Sequence, residues 1–210
     1  MRNTSFLTVC TAASLLAPSL VSAAILDFAA AEACQPEVCS NGRVISQSYG
    51  DLVGVDVIYD TDMTTPEYTE WQYWDTAYSA LTDIAYAQDG ATISFYSLGD
   101  FEVSLSGLDL GAWPNSDRQL GFAIFDLNGN VEVFNSGLVT VLGTVASSFT
   151  FDLSSTLALQ IRFFGDVFNG GVDNIVYDAV PTSTIPLPAS ALLLAGGLVG
   201  LGALRRRRRT

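Results

Sequence analysis

The side chains of this chain that could do chemistry are carboxylates, aromatic rings and a pair of cysteines. There are 22 acidic residues, and no histidine anywhere. Without an imidazole there is no Ser-His-Asp or Cys-His machinery, so carboxylates are the only bases left. A glycosidase needs only two of them, about 5–9.5 Å apart across a sugar, but nothing in the spacing singles out a pair. The glycines fall in turns rather than at a strand-to-helix junction, so no phosphate-cradling loop is present. The expectation is a protein that is not an enzyme, with a glycan hydrolase using paired carboxylates as an alternative.

Trp71, Tyr73, Trp74 and Tyr78, with Tyr68 just before them, form the densest aromatic patch, interleaved with Glu67, Glu70 and Asp75. Sugar rings stack their C–H faces on flat aromatics while their hydroxyls bond carboxylates and amides, so this mixture suits an extracellular polysaccharide. The competing reading is that these rings fill the core, and exposure of Trp71 or Trp74 decides between the two. Trp113, beside Pro114-Asn115, falls on a separate loop.

Asp56, Asp60 and Asp62 lie within seven residues, and short runs of oxygen ligands attract calcium. The run lacks the glycine and closing glutamate of an EF-hand loop, so that motif is rejected. Cys34 and Cys39 stand five positions apart, whereas Cys10 sits in the N-terminal apolar run. In an oxidising compartment the close pair reads as a disulfide pinning a local turn. A zinc site would need further Cys or His ligands.

Both ends read as addresses. Arg2, an apolar run from Phe6 to Ala17 and the small residues Val21-Ser22-Ala23 make the three parts of a secretory signal, with residues 1–23 removed. At the other end, Ile185-Pro186-Leu187-Pro188 precedes 16 apolar residues, 189–204, and then Arg205, Arg206, Arg207, Arg208 and Arg209. Sixteen is just short of the roughly 17–25 residues of a spanning helix, and arginine stems can snorkel to make up the difference. The basic cluster would stay cytoplasmic and the rest of the chain would face outward.

Between the ends, three arginines (Arg43, Arg118 and Arg162) meet all 22 acidic residues, leaving a domain near −19. Such a surface repels nucleic acid and anionic head groups and favours cations. Either calcium binding or solubility in a saline medium accounts for it.

Residues 24–180 are enough for one domain with a real core. β-rich runs recur at 42–48, 53–59, 91–97, 101–108, 120–126, 131–141, 147–153, 157–164 and 174–178, separated by Gly/Asn/Asp turns such as Asn128-Gly129. That spacing predicts an all-β, antiparallel sandwich or barrel. From Trp74 to Gln88, the residues Trp74, Tyr78, Leu81, Ile84 and Ala85 either line one face of a short helix or belong to a loop that packs rings on a sheet edge.

The tail, with its Pro-rich motif, apolar helix and terminal arginines, resembles the PEP-CTERM class of sorting signals, in its VPLPA variant with Ile185 in place of Val. The resemblance covers 185–210 and implies that Ile185, Pro186, Leu187, Pro188 and Ala189 are recognised by an exosortase-type enzyme. The route implied runs through an inner-membrane intermediate, anchored by a transmembrane helix at 189–204, to the cell surface or extracellular matrix. Residues 181–188 would be a linker carrying the motif, and 205–210 a cytoplasmic tail. Gly170-Gly171-Val172-Asp173-Asn174-Ile175-Val176-Tyr177, with the strand pattern, resembles jelly-roll domains akin to carbohydrate-binding modules. That resemblance implies a last strand lying beside the first and a structural Ca2+ joining Asp27 to Asp173. The function expected is a non-catalytic polysaccharide-binding module, the alternative being a structural matrix protein without a specific ligand.

Overall fold

The computed structural model describes residues 23–60, 70–87 and 90–182. Nearly all of the expected signal, the sorting motif Ile185 to Ala189, the apolar segment and Arg205 to Arg209 lie outside these residues, as do Asp62, Glu67 and Tyr68. Among the described residues no helix is long and apolar enough to cross a membrane.

Among the described residues twelve strands form: β1 (Ala24–Leu26), β2 (Val55–Asp60), β3 (Gln72–Trp74), β4 (Ile84–Tyr86), β5 (Thr92–Ser97), β6 (Phe101–Ala112), β7 (Arg118–Asp126), β8 (Val131–Asn135), β9 (Val139–Val141), β10 (Ser147–Ser155), β11 (Ala158–Gly165) and β12 (Gly170–Pro181). They make two six-stranded antiparallel sheets. The first runs β10-β6-β12-β4-β3 with β1 also on β12, and the second runs β2-β5-β11-β7-β8 with β9 also on β7. The chain changes sheet at every connection except β3–β4 and the β7–β8–β9 run, which is the wiring of a jelly-roll sandwich. The last strand does lie beside the first, pairing Leu26 with Ile175 and Ala24 with Tyr177.

Alternation explains the core. In β2, Val55, Val57 and Tyr59 point inward while the residues between them are more exposed, as a period of two requires. Phe95, Phe122, Ile124, Leu159 and Ile161 from the second sheet meet Leu105, Leu108, Ile175 and Tyr177 from the first, each essentially without solvent contact. Burial of such side chains contributes about 1.5–3 kcal/mol apiece. Phe122 is a hub, its ring centroid 5.4 Å from that of Phe134 and 5.0 Å from that of Phe149.

Several expectations need correction. The run 42–48 contributes only an isolated bridge from Val44 to Gln72. The run 131–141 breaks into β8 and β9 at Gly137, whose φ of 65° a strand cannot absorb. In the β7–β8 hairpin the positive φ angles fall on Gly129 and Asn130, one residue later than Asn128-Gly129 suggests. No helix forms from Trp74 to Ala87, because Ala77, Ser79 and Asp83 all take positive φ and the segment folds as strand, loop and strand.

The segment before β2 closes one end of the sandwich. Phe28 packs on Tyr49 and Tyr59 there. The Cys34–Cys39 disulfide forms as expected, with Cα atoms 5.1 Å apart. It holds a tight turn whose amide at Cys39 donates to Ala30 O at 2.8 Å.

Candidate functional site

The strand period divides the aromatic patch between two environments. Trp71 and Tyr73 point into the main core at 2% and 3% exposure, whereas Trp74 turns to the outer face of the first sheet. The Trp71 indole N–H donates to Asp60 O and Thr92 O, each at 3.0 Å, and its ring meets Phe163 edge-on. Trp71 therefore cannot stack on a sugar, contrary to the expectation for an exposed ring. Tyr73 is equally buried, and its hydroxyl donates to Asp83 Oδ1, so its role is to hold that carboxylate. Burial pushes the Tyr73 hydroxyl up, and the bond to Asp83 adds to the effect.

On the outer face a second cluster assembles. Pairing of β3 with β4 sets Gln72 opposite Tyr86 and Trp74 opposite Ile84, so these four share one side. Tyr86 donates its hydroxyl to Gln72 Oε1. Trp74 stands nearly perpendicular to Tyr86 (84°, 5.9 Å) and to Trp113 (75°, 6.4 Å), while Tyr78 stacks on Tyr86 at 6.3 Å. Trp113, read from the sequence as a separate loop, thus joins the same cluster. Together with Phe168, which is 48% exposed, these rings line an open pocket of about 80 Å³. Tyr78 is its buried floor rather than an exposed platform.

Glycines on neighbouring strands make room for this floor. Gly111 of β6 and Gly171 of β12 face each other. A Cβ at Gly111 would lie 2.6 Å from Tyr78 O, and one at Gly171 would lie 2.7 Å from Tyr78 Cδ1. The loop bearing Tyr78 is then tied down, since Ser79 N–H donates to Ala112 O at 3.1 Å and Ser79 Oγ to Leu142 O at 2.6 Å. Trp113 is fixed through its backbone: its N–H donates to Asn169 O at 2.9 Å, and Arg118 Nε donates to its carbonyl at 2.7 Å. Arg118 is held in turn by Asp166 at 3.2 Å.

Two residues further along the same face of β12, Asp173 lies directly opposite Asp109 of β6. Like charges so placed repel, and Asn174 Nδ2 donates to both, at 2.9 Å to Asp109 and 3.3 Å to Asp173. Asp173 is 5% exposed, and desolvation first, then the charges of Asp109, Asp27 and Asp83, push its carboxyl up to about 8. Its one opposing contribution is the bond it accepts from Asn174 N–H at 2.7 Å. Asp27, Asp83 and Asp173 border a single groove with Thr82 and Asn174. The structure therefore brings Asp27 and Asp173 to one groove, with Asp27 also accepting from Tyr49 Oη at 2.8 Å. Among the described residues, however, no three acidic, Cys or His side chains converge closely enough to hold a metal ion. Asp56 and Asp60 remain on β2, outside this groove.

Tyr86 and Phe168 were not legible as site residues, because each reaches the pocket through pairing or a turn distant in sequence from Trp74.

No known protein family matches the chain, and no curated protein does. Among solved structures the chain is similar to the CBM27-1 module of Caldicellulosiruptor saccharolyticus in complex with mannohexaose, at 13% identity and a TM-score of 0.33, over 78% of this chain and 98% of that one. It is also similar to a family 29 carbohydrate binding module, CBM29-2, at 13% identity and a TM-score of 0.29, over 63% and 97%. An exo-β-1,3-galactanase from Phanerochaete chrysosporium, solved with β-1,3-galactotriose, gives 14% identity and a TM-score of 0.32 over 67% of this chain, which spans only 29% of the galactanase. Likeness at this level assigns neither ligand nor site.

Proposed function

We propose that this chain is an exported, non-catalytic polysaccharide-binding module that grips its ligand in the pocket of Trp74, Tyr78, Tyr86, Trp113 and Phe168. The observation that carries this reading is the exposed Phe168 and the half-buried Trp74 and Trp113 meeting at a pocket backed by a tied-down loop. Exposed aromatics in a preformed concavity bind sugar faces without losing much side-chain freedom. The signal-like segment 1–23 would export the domain. The VPLPA-like tail, Ile185 to Ala189 with Arg205 to Arg209, would then pass it through an inner-membrane intermediate to an exosortase-type enzyme and on to the surface or matrix.

A structural calcium at Asp27 and Asp173 would have to be completed by backbone carbonyls and water, since among the described residues no third carboxylate converges there.

The test is a glycan-array screen of residues 24–183, which contain the whole of both sheets, repeated with Trp74→Ala and Trp113→Ala. Binding lost in both variants, with unchanged unfolding temperature, supports the reading. Absence of binding by the parent domain overturns it in favour of a structural matrix protein.

A further inference from the structure

Among the described residues, all five side chains lining the aromatic pocket are rings, and no amide or carboxylate side chain lines it. A neutral sugar needs several polar partners to orient its hydroxyls, and the rings here bring the phenol hydroxyls of Tyr78 and Tyr86, the latter already donating to Gln72 Oε1, and the indole N–H groups of Trp74 and Trp113. The groove beside the pocket is dominated by carboxylates, Asp27, Asp83 and Asp173, with Thr82 and Asn174 beside them. The loop that puts Tyr78 into the pocket continues through Ala80, Leu81, Thr82 and Asp83, which border the groove of Asp27 and Asp173. Along β12, Gly171 beneath Tyr78 and Asp173 in the groove are two positions apart, about 7 Å at strand rise. Aromatic walls at near right angles offer π faces to a cation from more than one side, and the domain around them is near −19.

We infer, building on the polysaccharide reading above, that the ligand is a cationic amino-sugar polymer, its ring faces held by Trp74, Trp113 and Phe168 and its ammonium groups drawn to Asp83 and Asp27. An anionic polysaccharide is disfavoured by the same charges. The lone unpaired cation among the described residues, Arg162, lies on the other sheet over Phe125 and offers no compensation here.

Calorimetry on residues 24–183 with three hexasaccharides separates the possibilities: a glucosamine oligomer, its N-acetylated counterpart and a glucose oligomer. The glucosamine oligomer is expected to bind about tenfold or more tighter than the other two at about 50 mM NaCl, with the gap narrowing at about 500 mM. Trp113→Ala and Phe168→Ala leave the net charge unchanged and are expected to abolish that binding. Asp83→Asn, which can still accept the Tyr73 hydroxyl, should lower affinity for glucosamine and leave neutral oligomers unaffected.

Equal or tighter binding of the neutral oligomers overturns the cationic inference while the polysaccharide reading survives. Glucosamine binding that persists in Trp113→Ala and Phe168→Ala shows diffuse attraction to an acidic surface and removes the pocket from both readings. If none of the three binds, the cationic inference falls and the polysaccharide reading is decided by the glycan array.

Discussion

Replacing Asp173 by Asn should uncouple the stability of the domain from pH in the neutral range. Asp173 carries a carboxyl raised from 3.8 to about 8, chiefly by desolvation. In the unfolded chain it ionises near its ordinary value, so between about pH 4 and pH 8 the folded state holds one more proton. A raised carboxyl contributes its stability below the unfolded pKa, and the contribution is lost as pH rises towards the folded one. At about 1.4 kcal/mol per unit, the ceiling over the window is about 5–6 kcal/mol. Asp27, Asp83 and Asp109 share the field, and relaxation and water entry reduce such costs, so about 2–3 kcal/mol is the reasonable expectation. For a domain of this size that corresponds to about 5–10 °C in Tm. In chelator, the parent domain should lose this much between pH 5 and pH 8.5, while Asp173→Asn stays nearly flat, so that the variant overtakes it at the alkaline end. Thermal unfolding of both proteins across that range reads it directly. A gap between them that does not change with pH, or a parent domain that gains stability with pH, would refute the reasoning about burial. Excess calcium adds a second comparison: a bound cation favours the ionised form and flattens the parent curve, whereas superimposed calcium and chelator curves remove calcium from the groove.

Trp71→Ala should destabilise the domain by about 3–5 kcal/mol through the cavity it leaves, seen as a lower denaturation midpoint without selective loss of glycan affinity. Gly111→Ala drives a methyl group to 2.6 Å from Tyr78 O, so it should cost about 1–3 kcal/mol and weaken ligand binding together, measured by melting and calorimetry. Reducing Cys34–Cys39, or replacing both residues by Ala, should cost only about 1–2 kcal/mol because the loop is short, and free-thiol labelling of the untreated folded domain should find neither residue reactive. Intact mass of the protein from its native cell should lack Arg205 to Arg209, and retention of those residues would point instead to a plain membrane anchor.

The sheet architecture was largely readable, because long strands advertise themselves through alternation and turns. Runs such as 91–97 and 120–126 lie within one or two residues of β5 and β7. What escaped was whatever depends on short strands or distant pairing. β3 has three residues, too few for a period to be recognised, so the phase that buries Trp71 and Tyr73 and turns Trp74 outward could not be read. The apolar spacing from Trp74 to Ala85 did identify rings and aliphatics that meet, since Trp74, Tyr78, Leu81 and Ile84 share one cluster. They meet through a loop with three residues in the left-handed region rather than along a helix. The opposition of Asp109 to Asp173 joins positions 64 apart, and no local pattern announces it.

The contrast between the two outer faces explains why the site sits where it does. On the second sheet the exposed side is closed by its own polar network: Arg162 lies 3.8 Å over the Phe125 ring and donates to Gln160 Oε1 at 2.6 Å and Asn130 Oδ1 at 2.9 Å, while Gln160 Nε2 donates to Ser94 Oγ at 2.9 Å. These groups already have partners, so a ligand there would have to displace satisfied bonds for equivalent ones. On the first sheet, Gly111 and Gly171 leave the backbone bare, and a loop rather than long side chains covers it. The loop presents Tyr78 on one side and Asp83 on the other. Apolar faces left in water and carboxylates without a cation are both unfavourable until something binds. A ligand that is flat and cationic relieves both at once, and the folded chain already holds the residues that would receive it.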